Sequence, residues 1–147
     1  FQTWITSPAQ ARSQQDRLEK LVETSGVMVQ RFVDEIQIRG EWSLIFFRKE
    51  YSHAVLKRAK PGDFRVQDDF GGYLDKLVPS ASLIEQAQQI VDLIEEQLLF
   101  ARVDGVEIDG KFQLMELELI EPALFLRQDS LASRRFADAI ALVGNRR

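Results

Sequence analysis

The sequence contains no cysteine and a single histidine, His53, among its 147 residues. The absence of cysteine excludes disulfide bonds, zinc knuckles and thiolate catalysis. One histidine provides no pair of imidazoles for a zinc site, so we interpret His53 as a structural side chain on a strand.

Long apolar runs are also absent, because none approaches membrane-spanning length and no signal peptide is visible. The net charge of −4 argues against a general binder of nucleic acids or membrane surfaces. Hydrophobic residues make up 45% of the chain, which predicts a packed interior rather than disorder. The composition therefore predicts one cytoplasmic domain over residues 1–147, with no nucleic-acid partner and no membrane partner.

Capping, turn and periodicity signals divide the chain into helices and strands. Ser7 with Pro8, and Ser82 with Glu85, predict two helix starts. Helices are expected at about 7–23, 82–98 and 130–144, and strands at 27–33, 42–47 and 51–57. The last two strands are separated by a short polar segment and predict a hairpin. The predicted fold class is α+β, an antiparallel β-sheet with flanking helices.

The segment 101–122 has the pattern of a further β-hairpin and carries three acids, Asp104, Glu116 and Glu118, here called the acid trio. Glu116 and Glu118 are two residues apart on a strand, so they share a face with about 7 Å between their Cα atoms. Whether Asp104 joins them depends on the turn. A two-residue turn at Asp109-Gly110 would direct Asp104 away from Glu116.

A three-residue loop, 108–110, gives the hairpin a different register. Glu107 then pairs with Lys111 and Arg102 with Glu116, so that opposite charges meet. We therefore predict this loop, which puts the whole acid trio on one face. Crowded carboxylates repel one another and need a cation, so the face predicts a magnesium site with a phosphate ligand. The alternative is an exposed face of solvated acids partly balanced by Arg102.

Basic side chains lie beside glycines in the segment 57–72. Arginine suits oxygen-rich anions because its planar fork donates two parallel hydrogen bonds. Glycine lets the backbone approach such a ligand closely. The segment is therefore a candidate anion-binding loop, and the alternative is a solvated surface loop.

The order of these pieces resembles the ATP-grasp superfamily, close to its glutathione synthetase-like branch. Residues 29–36 resemble the adenine-binding hinge, and 40–43 resemble the start of the next strand. The segment 57–72 resembles a phosphate-binding loop with two arginines. Asp104 and the run 115–118 match the segments that carry metal-binding acids. The likeness covers about 27–122, and the ordered set is more specific than any single motif.

The resemblance implies an ATP-dependent ligase that joins a small-molecule carboxylate to an amine through an acyl phosphate. The acid trio would hold Mg²⁺ at the phosphates of ATP. Arg58 and Arg65 would be the catalytic residues that stabilise the transferred phosphoryl group. The implied nucleotide-binding residues are Gln30, Arg31, Phe32, Glu41, Gln67 and Leu114.

The sequence departs from the family at several points. Glu118 stands where many members have asparagine, and so does Gln67. The family's earlier lysine, most of its glycine-rich lid and its N-terminal substrate domain are absent from these residues, which begin at Phe1 without methionine. We therefore expect a C-terminal portion of a longer ligase, partnered by the missing N-terminal part or by a second copy. The alternative is a non-catalytic nucleotide-binding or interaction module.

Overall fold

The computed structural model describes residues 3–60 and 72–144. The chain divides into two compact units, Phe1–Val33 and Asp34–Arg147. The first unit contains a 3₁₀ turn, Ala11–Gln14, followed by helix α1, Gln15–Val22. The predicted start at Ser7 is wrong, because the Ser7 hydroxyl donates to the side chain of Gln10 rather than accepting from a helical backbone N–H.

The predicted strand at 27–33 is also wrong. These residues, all of them described, form neither helix nor strand. Their apolar, β-branched composition favours a strand only where another strand supplies the pairing hydrogen bonds. The described part of the first unit has no strand to do so.

The second unit is built on an antiparallel sheet that has five strands in the described residues, in the order β3-β2-β1-β4-β5. This sheet and its flanking helices confirm the predicted α+β class. The strands are β1 Glu41–Phe47, β2 Glu50–Arg58, β3 Tyr73–Asp75, β4 Phe100–Ile108 and β5 Lys111–Glu118. The helices are α2 Glu35–Ile38, α3 Ala81–Asp92 and α4 Ala132–Gly144.

Strands β1 and β2 form the predicted hairpin. Arg48 and Lys49 make its two-residue turn, with φ of 50° and 67°, and Phe47 pairs directly with Glu50. Two consecutive positive φ angles give a turn whose twist matches that of the strands. Strand β1 lies at the centre of the sheet and is buried at every position.

Helix α3 covers one face of the sheet. Its buried residues Leu83, Ala87 and Val91 pack in one core cluster with Leu44 and Val103. The helix is capped by the hydroxyl of Ser80, which accepts a hydrogen bond from the Leu83 N–H. The prediction that Ser82 and Glu85 begin this helix is therefore wrong by two residues, because the oxygen three residues before Leu83 caps the backbone.

The opposite face is apolar at one end only. There Ile45 and Phe47 pack with Ala139 and Phe136 of α4, and the rings of Phe47 and Phe136 stack 5.1 Å apart. In the ranges that the structure describes, no helix combines the length and the apolar character that crossing a membrane requires. The other end of this face is polar and forms the candidate site.

The turn between β4 and β5 differs from the prediction. Ile108 pairs with Lys111, so Asp109 and Gly110 form a two-residue turn, with φ of 50° and 75°. The predicted three-residue loop is wrong. Asp-Gly fits this turn because aspartate tolerates a left-handed backbone and glycine adopts it without strain. Turn chemistry therefore outweighed the matching of charges between the strands.

A β-bulge then restores the expected placement of the acid trio. Gly105 pairs with Leu114, but Asp104 pairs with Glu116, so Met115 is the extra residue on β5. Without the bulge, the alternation of side chains would put Asp104 and Glu116 on opposite faces. With it, both residues and Glu118 lie on the same face.

Gly105 lies beside the bulge, on the face toward α3. A Cβ atom there would come within 2.6 Å of the Gln113 carbonyl oxygen and 2.4 Å of the Phe112 ring. We expect Gly105→Ala to lower the free energy of unfolding by about 1–3 kcal/mol, measured by urea unfolding, because a backbone atom cannot move aside as a side chain can. Gly26→Ala is the control, since a Cβ at Gly26 meets nothing within 4 Å. Equal stability of the two variants would contradict the close approach.

His53 ties β2 to the segment before α4. Its Nε2 lies 2.9 Å from the Leu124 carbonyl oxygen, and its Nδ1 lies 2.9 Å from the Ser52 hydroxyl. Burial lowers the pKa of His53 from its usual 6.5, and nearby Arg135 lowers it too, against the opposing effects of Leu124 and Asp129. These contacts agree with the interpretation of His53 as a structural side chain.

This lowered pKa gives stability a pH dependence with a definite sign. The unfolded chain binds a proton more readily at His53 than the folded chain does, so stability is lost as pH falls below about 6.5. We expect His53→Gln to flatten this part of the stability curve, measured by urea unfolding at several values between pH 7.5 and pH 5. Parallel curves for the variant and the unaltered protein would show that His53 does not cause the slope.

Candidate functional site

Seven polar side chains from four adjacent strands share the polar end of the sheet, here called the charged face. Four pairs of these residues lie directly opposite one another on neighbouring strands: Glu41 with Lys57, Ser43 with Asp104, Asp104 with Glu116, and Arg102 with Glu118. Directly paired residues point to the same face of a sheet. The charged face therefore comprises Glu41, Ser43, Lys57, Arg102, Asp104, Glu116 and Glu118.

Lys57 connects two buried acids across the central strand. Its Nζ lies 2.8 Å from Glu41 Oε2 and 3.1 Å from Asp104 Oδ2. Sequence reasoning placed Lys57 in the anion-binding loop and missed this role. The two-residue turn by itself would pair Glu41 with Leu56. A register shift between Ile45 and Phe46 brings Lys57 opposite Glu41 instead, so the turn residues gave no signal of this role.

Arg102 gathers the acid trio around its guanidinium group. Nε donates to both carboxylate oxygens of Asp104 at 3.1 Å. Nη2 lies 3.0 Å from Asp104, 2.5 Å from Glu118 and 3.5 Å from Glu116. Burial by itself lowers the pKa of Arg102, but these carboxylates outweigh it and leave that pKa above its usual value. The sequence indicated only a partial balance of charge here.

Several charged groups on this face are buried, so each needs a nearby group of opposite charge. Asp104 is 1% exposed, and it depends on Lys57 and Arg102 for compensation. Burial raises the pKa of Glu41, and the adjacent Lys57 partly opposes the rise. Ser43, completely buried opposite Asp104, has a hydroxyl with no hydrogen-bond partner among the described residues. A buried hydroxyl without a partner is uncommon in folded proteins and leaves one hydrogen bond unformed beside Asp104.

The donor chemistry of the charged face fits a hard divalent cation. Four carboxylates and two cations leave two negative charges uncompensated, and carboxylate oxygens are the ligands that Mg²⁺ takes. Within residues 3–60 and 72–144, no group of three acids or imidazoles is already arranged to hold a metal ion. The oxygens of the acid trio are instead distributed around the Arg102 guanidinium.

Two other implied site residues, Arg58 and Leu114, lie on the opposite side of the sheet. Arg58 follows Lys57 on β2 and therefore points toward α3, where its Nε donates to Asp75 at 2.6 Å. Leu114 pairs with Gly105 and shares that side. The structure does not bring either residue together with the acid trio.

The remaining implied residues fall elsewhere. Gln30, Arg31 and Phe32 belong to the first unit, where the first two are exposed and Phe32 is half-buried. Arg65 and Gln67 lie outside the described residues. Of the six implied nucleotide-binding residues, Glu41 is the one that the described strands bring to the acid trio.

Comparison with known proteins gives one curated relative and several solved structures. The chain is 33% identical over 132 residues to the cycloserine biosynthesis protein DcsG of Streptomyces lavendulae, covering 82% of this chain and 43% of that protein. It is similar to the crystal structure of D-cycloserine synthetase DcsG, with a TM-score of 0.71 and 28% identity over 92% of this chain and 48% of that one. No protein-family model matches the sequence.

A second solved structure shares the fold at lower identity. This is the D-alanine–D-alanine ligase from Bacillus anthracis complexed with ATP, with a TM-score of 0.64 and 18% identity over 92% of this chain and 47% of that chain. The present chain thus spans somewhat less than half the length of each of these proteins.

The five-stranded sheet with its flanking helices matches the fold of the ATP-grasp domain in these solved structures. The solved relatives are ATP-grasp enzymes, and the likeness falls on their C-terminal portions. The chain therefore resembles the C-terminal part of ATP-grasp enzymes, as the order of its sequence motifs indicated.

The buried position of Lys57 yields a stability prediction. We expect Lys57→Met to lower the free energy of unfolding by about 3–5 kcal/mol, because the substitution leaves the buried Glu41 and Asp104 without their shared counter-charge. Chemical denaturation measures the effect. Lys76→Met removes the same charge at an exposed position and is the control. A similar, small change in both variants would mean that the buried pairing contributes little.

Proposed function

We propose that this chain is the cation- and phosphate-binding portion of an ATP-dependent ligase that joins a carboxylate to an amine. The observation that carries the proposal is the convergence of the acid trio on one point of the sheet, beside the buried Lys57 and the half-buried Arg102. The relatives support it, since they include a D-alanine–D-alanine ligase complexed with ATP and a D-cycloserine synthetase.

In the proposed reaction, a substrate carboxylate attacks the γ-phosphorus of ATP and ADP leaves. An amine then attacks the acyl carbon of the resulting acyl phosphate and inorganic phosphate leaves. Neither step requires a nucleophile from the protein. The protein has to position two anionic reactants and compensate the charge on their oxygens.

The charged face supplies groups suited to those tasks. Asp104, Glu116 and Glu118 would hold Mg²⁺. When bound, the ion supplies positive charge to the phosphate oxygens of the nucleotide. Arg102 and Lys57 add positive charge on the same face, and the Lys57 ammonium holds the Asp104 carboxylate in place. Because Asp104 is almost completely buried, its orientation is set by these contacts rather than by water.

The family resemblance implies two catalytic arginines, Arg58 and Arg65, and the support for each is different. Arg58 is placed on the far side of the sheet, in contact with Asp75, so a phosphoryl-stabilising role would require it to leave that partner. Arg65 carries the role from the family resemblance alone. Among the described residues, Arg102 is the arginine in contact with the acid trio, which supports assigning it a phosphate-binding role.

The direct test is calorimetric titration of the 147-residue chain with Mg·ADP. We expect saturable binding that Glu116→Gln weakens by at least about tenfold, since even outer partners of metal ligands contribute that much to metal sites. Glu85→Gln, an exposed acid on α3, is the control for the change of charge. Urea unfolding of both variants, recorded alongside the titrations, establishes that they remain folded.

The outcomes separate the competing functions. Binding together with ATP hydrolysis stimulated by added amino acids supports the ligase. The same assays can be made on a longer protein that spans the full length of the relatives. Saturable binding without hydrolysis in that protein would support a non-catalytic nucleotide-binding module. Absence of Mg·ADP binding, or equal binding by Glu116→Gln and Glu85→Gln, would contradict the proposed site.

A further inference from the structure

One nitrogen atom, Arg102 Nη2, lies at the meeting point of the acid trio. Its distances to oxygens of Asp104, Glu118 and Glu116 are 3.0, 2.5 and 3.5 Å. A cation bound by the trio would need those same oxygens. Two positive groups cannot share so small a space without strong repulsion. Arg102 and a divalent ion therefore compete for one set of ligands.

Lys57 has a different relation to the cluster. It is enclosed between Glu41 and Asp104, whose side chains are 12% and 1% exposed. Arg102 instead has partners open to solvent, since the side chains of Glu118 and Glu116 are 25% and 59% exposed. The Lys57 and Arg102 side chains are themselves equally exposed, at 11%, so the difference lies in their partners. A guanidinium displaced toward Glu116 and Glu118 moves toward solvent.

Asp104 can lose Arg102 without being left uncompensated. Lys57 remains on Oδ2, and the unpartnered Ser43 hydroxyl lies on the residue directly opposite Asp104. The Ser43 hydroxyl makes no hydrogen bond to Asp104 in the described structure, and a change of its χ1 rotamer would be needed to bring it to a carboxylate oxygen. The face thus holds a spare donor at the one acid that is nearly inaccessible to water.

We propose that Arg102 is an exchangeable counter-ion: a divalent cation displaces it from the acid trio, and an anionic phosphate group that binds with the cation receives the freed guanidinium. This inference rests on the proposed function for the identity of the anion. It adds that cation and nucleotide bind cooperatively through Arg102. Each ligand removes a contact that opposes the other, so each raises the other's affinity by the same factor.

The first experiment needs no nucleotide. Mg²⁺ alone is titrated by calorimetry into the full chain and into Arg102→Met and Arg134→Met. We expect Arg102→Met to bind Mg²⁺ about 5- to 150-fold more tightly than the unaltered chain, the usual range of coupling between two ligands. Arg134, exposed on α4, is the control for net charge and should leave the affinity unchanged. Unchanged or weaker binding by Arg102→Met would overturn the inference.

A second measurement uses the unaltered protein and so does not depend on a variant folding. In ¹⁵N NMR, guanidinium protons held by carboxylates exchange slowly with water. Addition of Mg²⁺ should speed the exchange at Arg102 and leave the Lys57 ammonium protected. Retained protection at Arg102 in the Mg²⁺-saturated protein would refute the exchange.

Adding ADP then tests the cooperativity. ADP should raise the Mg²⁺ affinity of the unaltered chain, and that increase should disappear in Arg102→Met. An equal increase in both would contradict the coupling through Arg102. If no nucleotide binds at all, the proposed function fails, while the competition for the acid trio is still decided by Mg²⁺ alone.

Discussion

The alternation of charge across the central strands is the interaction on which the site depends. Glu41, Lys57, Asp104 and Arg102 form a row in which each acid contacts a cation. An isolated carboxylate as buried as Asp104 would destabilise the fold. The two cations compensate the Asp104 carboxylate and fix its position, so a strongly polar cluster can exist in the middle of a packed sheet.

One face of the sheet is apolar throughout its central strand, whereas the other face is apolar at one end and charged at the other. One face is apolar along β1 and is covered by α3. The other is apolar only where α4 and Phe136 cover it, and His53 ties β2 to the segment that leads into that helix. The charged face occupies the remaining end. Rigid strands therefore hold the carboxylates, which is the arrangement that gives a ligand site its precision.

The prediction of the acid trio illustrates how a correct placement can rest on a wrong detail. Charge pairing favoured a three-residue loop, but Asp109 and Gly110 form the tighter turn for which their backbone preferences suit them. The bulge at Met115 then shifts the register by one residue. A bulge depends on how two strands bend against the rest of the sheet, so the sequence of either strand alone does not predict it.

The sequence alone determined the fold class, the two hairpins and the resemblance to the ATP-grasp superfamily, because these follow from local periodicity, turn residues and the order of motifs. It did not determine which cations meet the acids. Lys57 and Arg58 are adjacent and look equivalent in sequence, yet strand alternation sends Lys57 to Asp104 and Arg58 to Asp75 on the other side. Only the tertiary structure decided that choice, because register across strands distant in sequence sets which charges share a face.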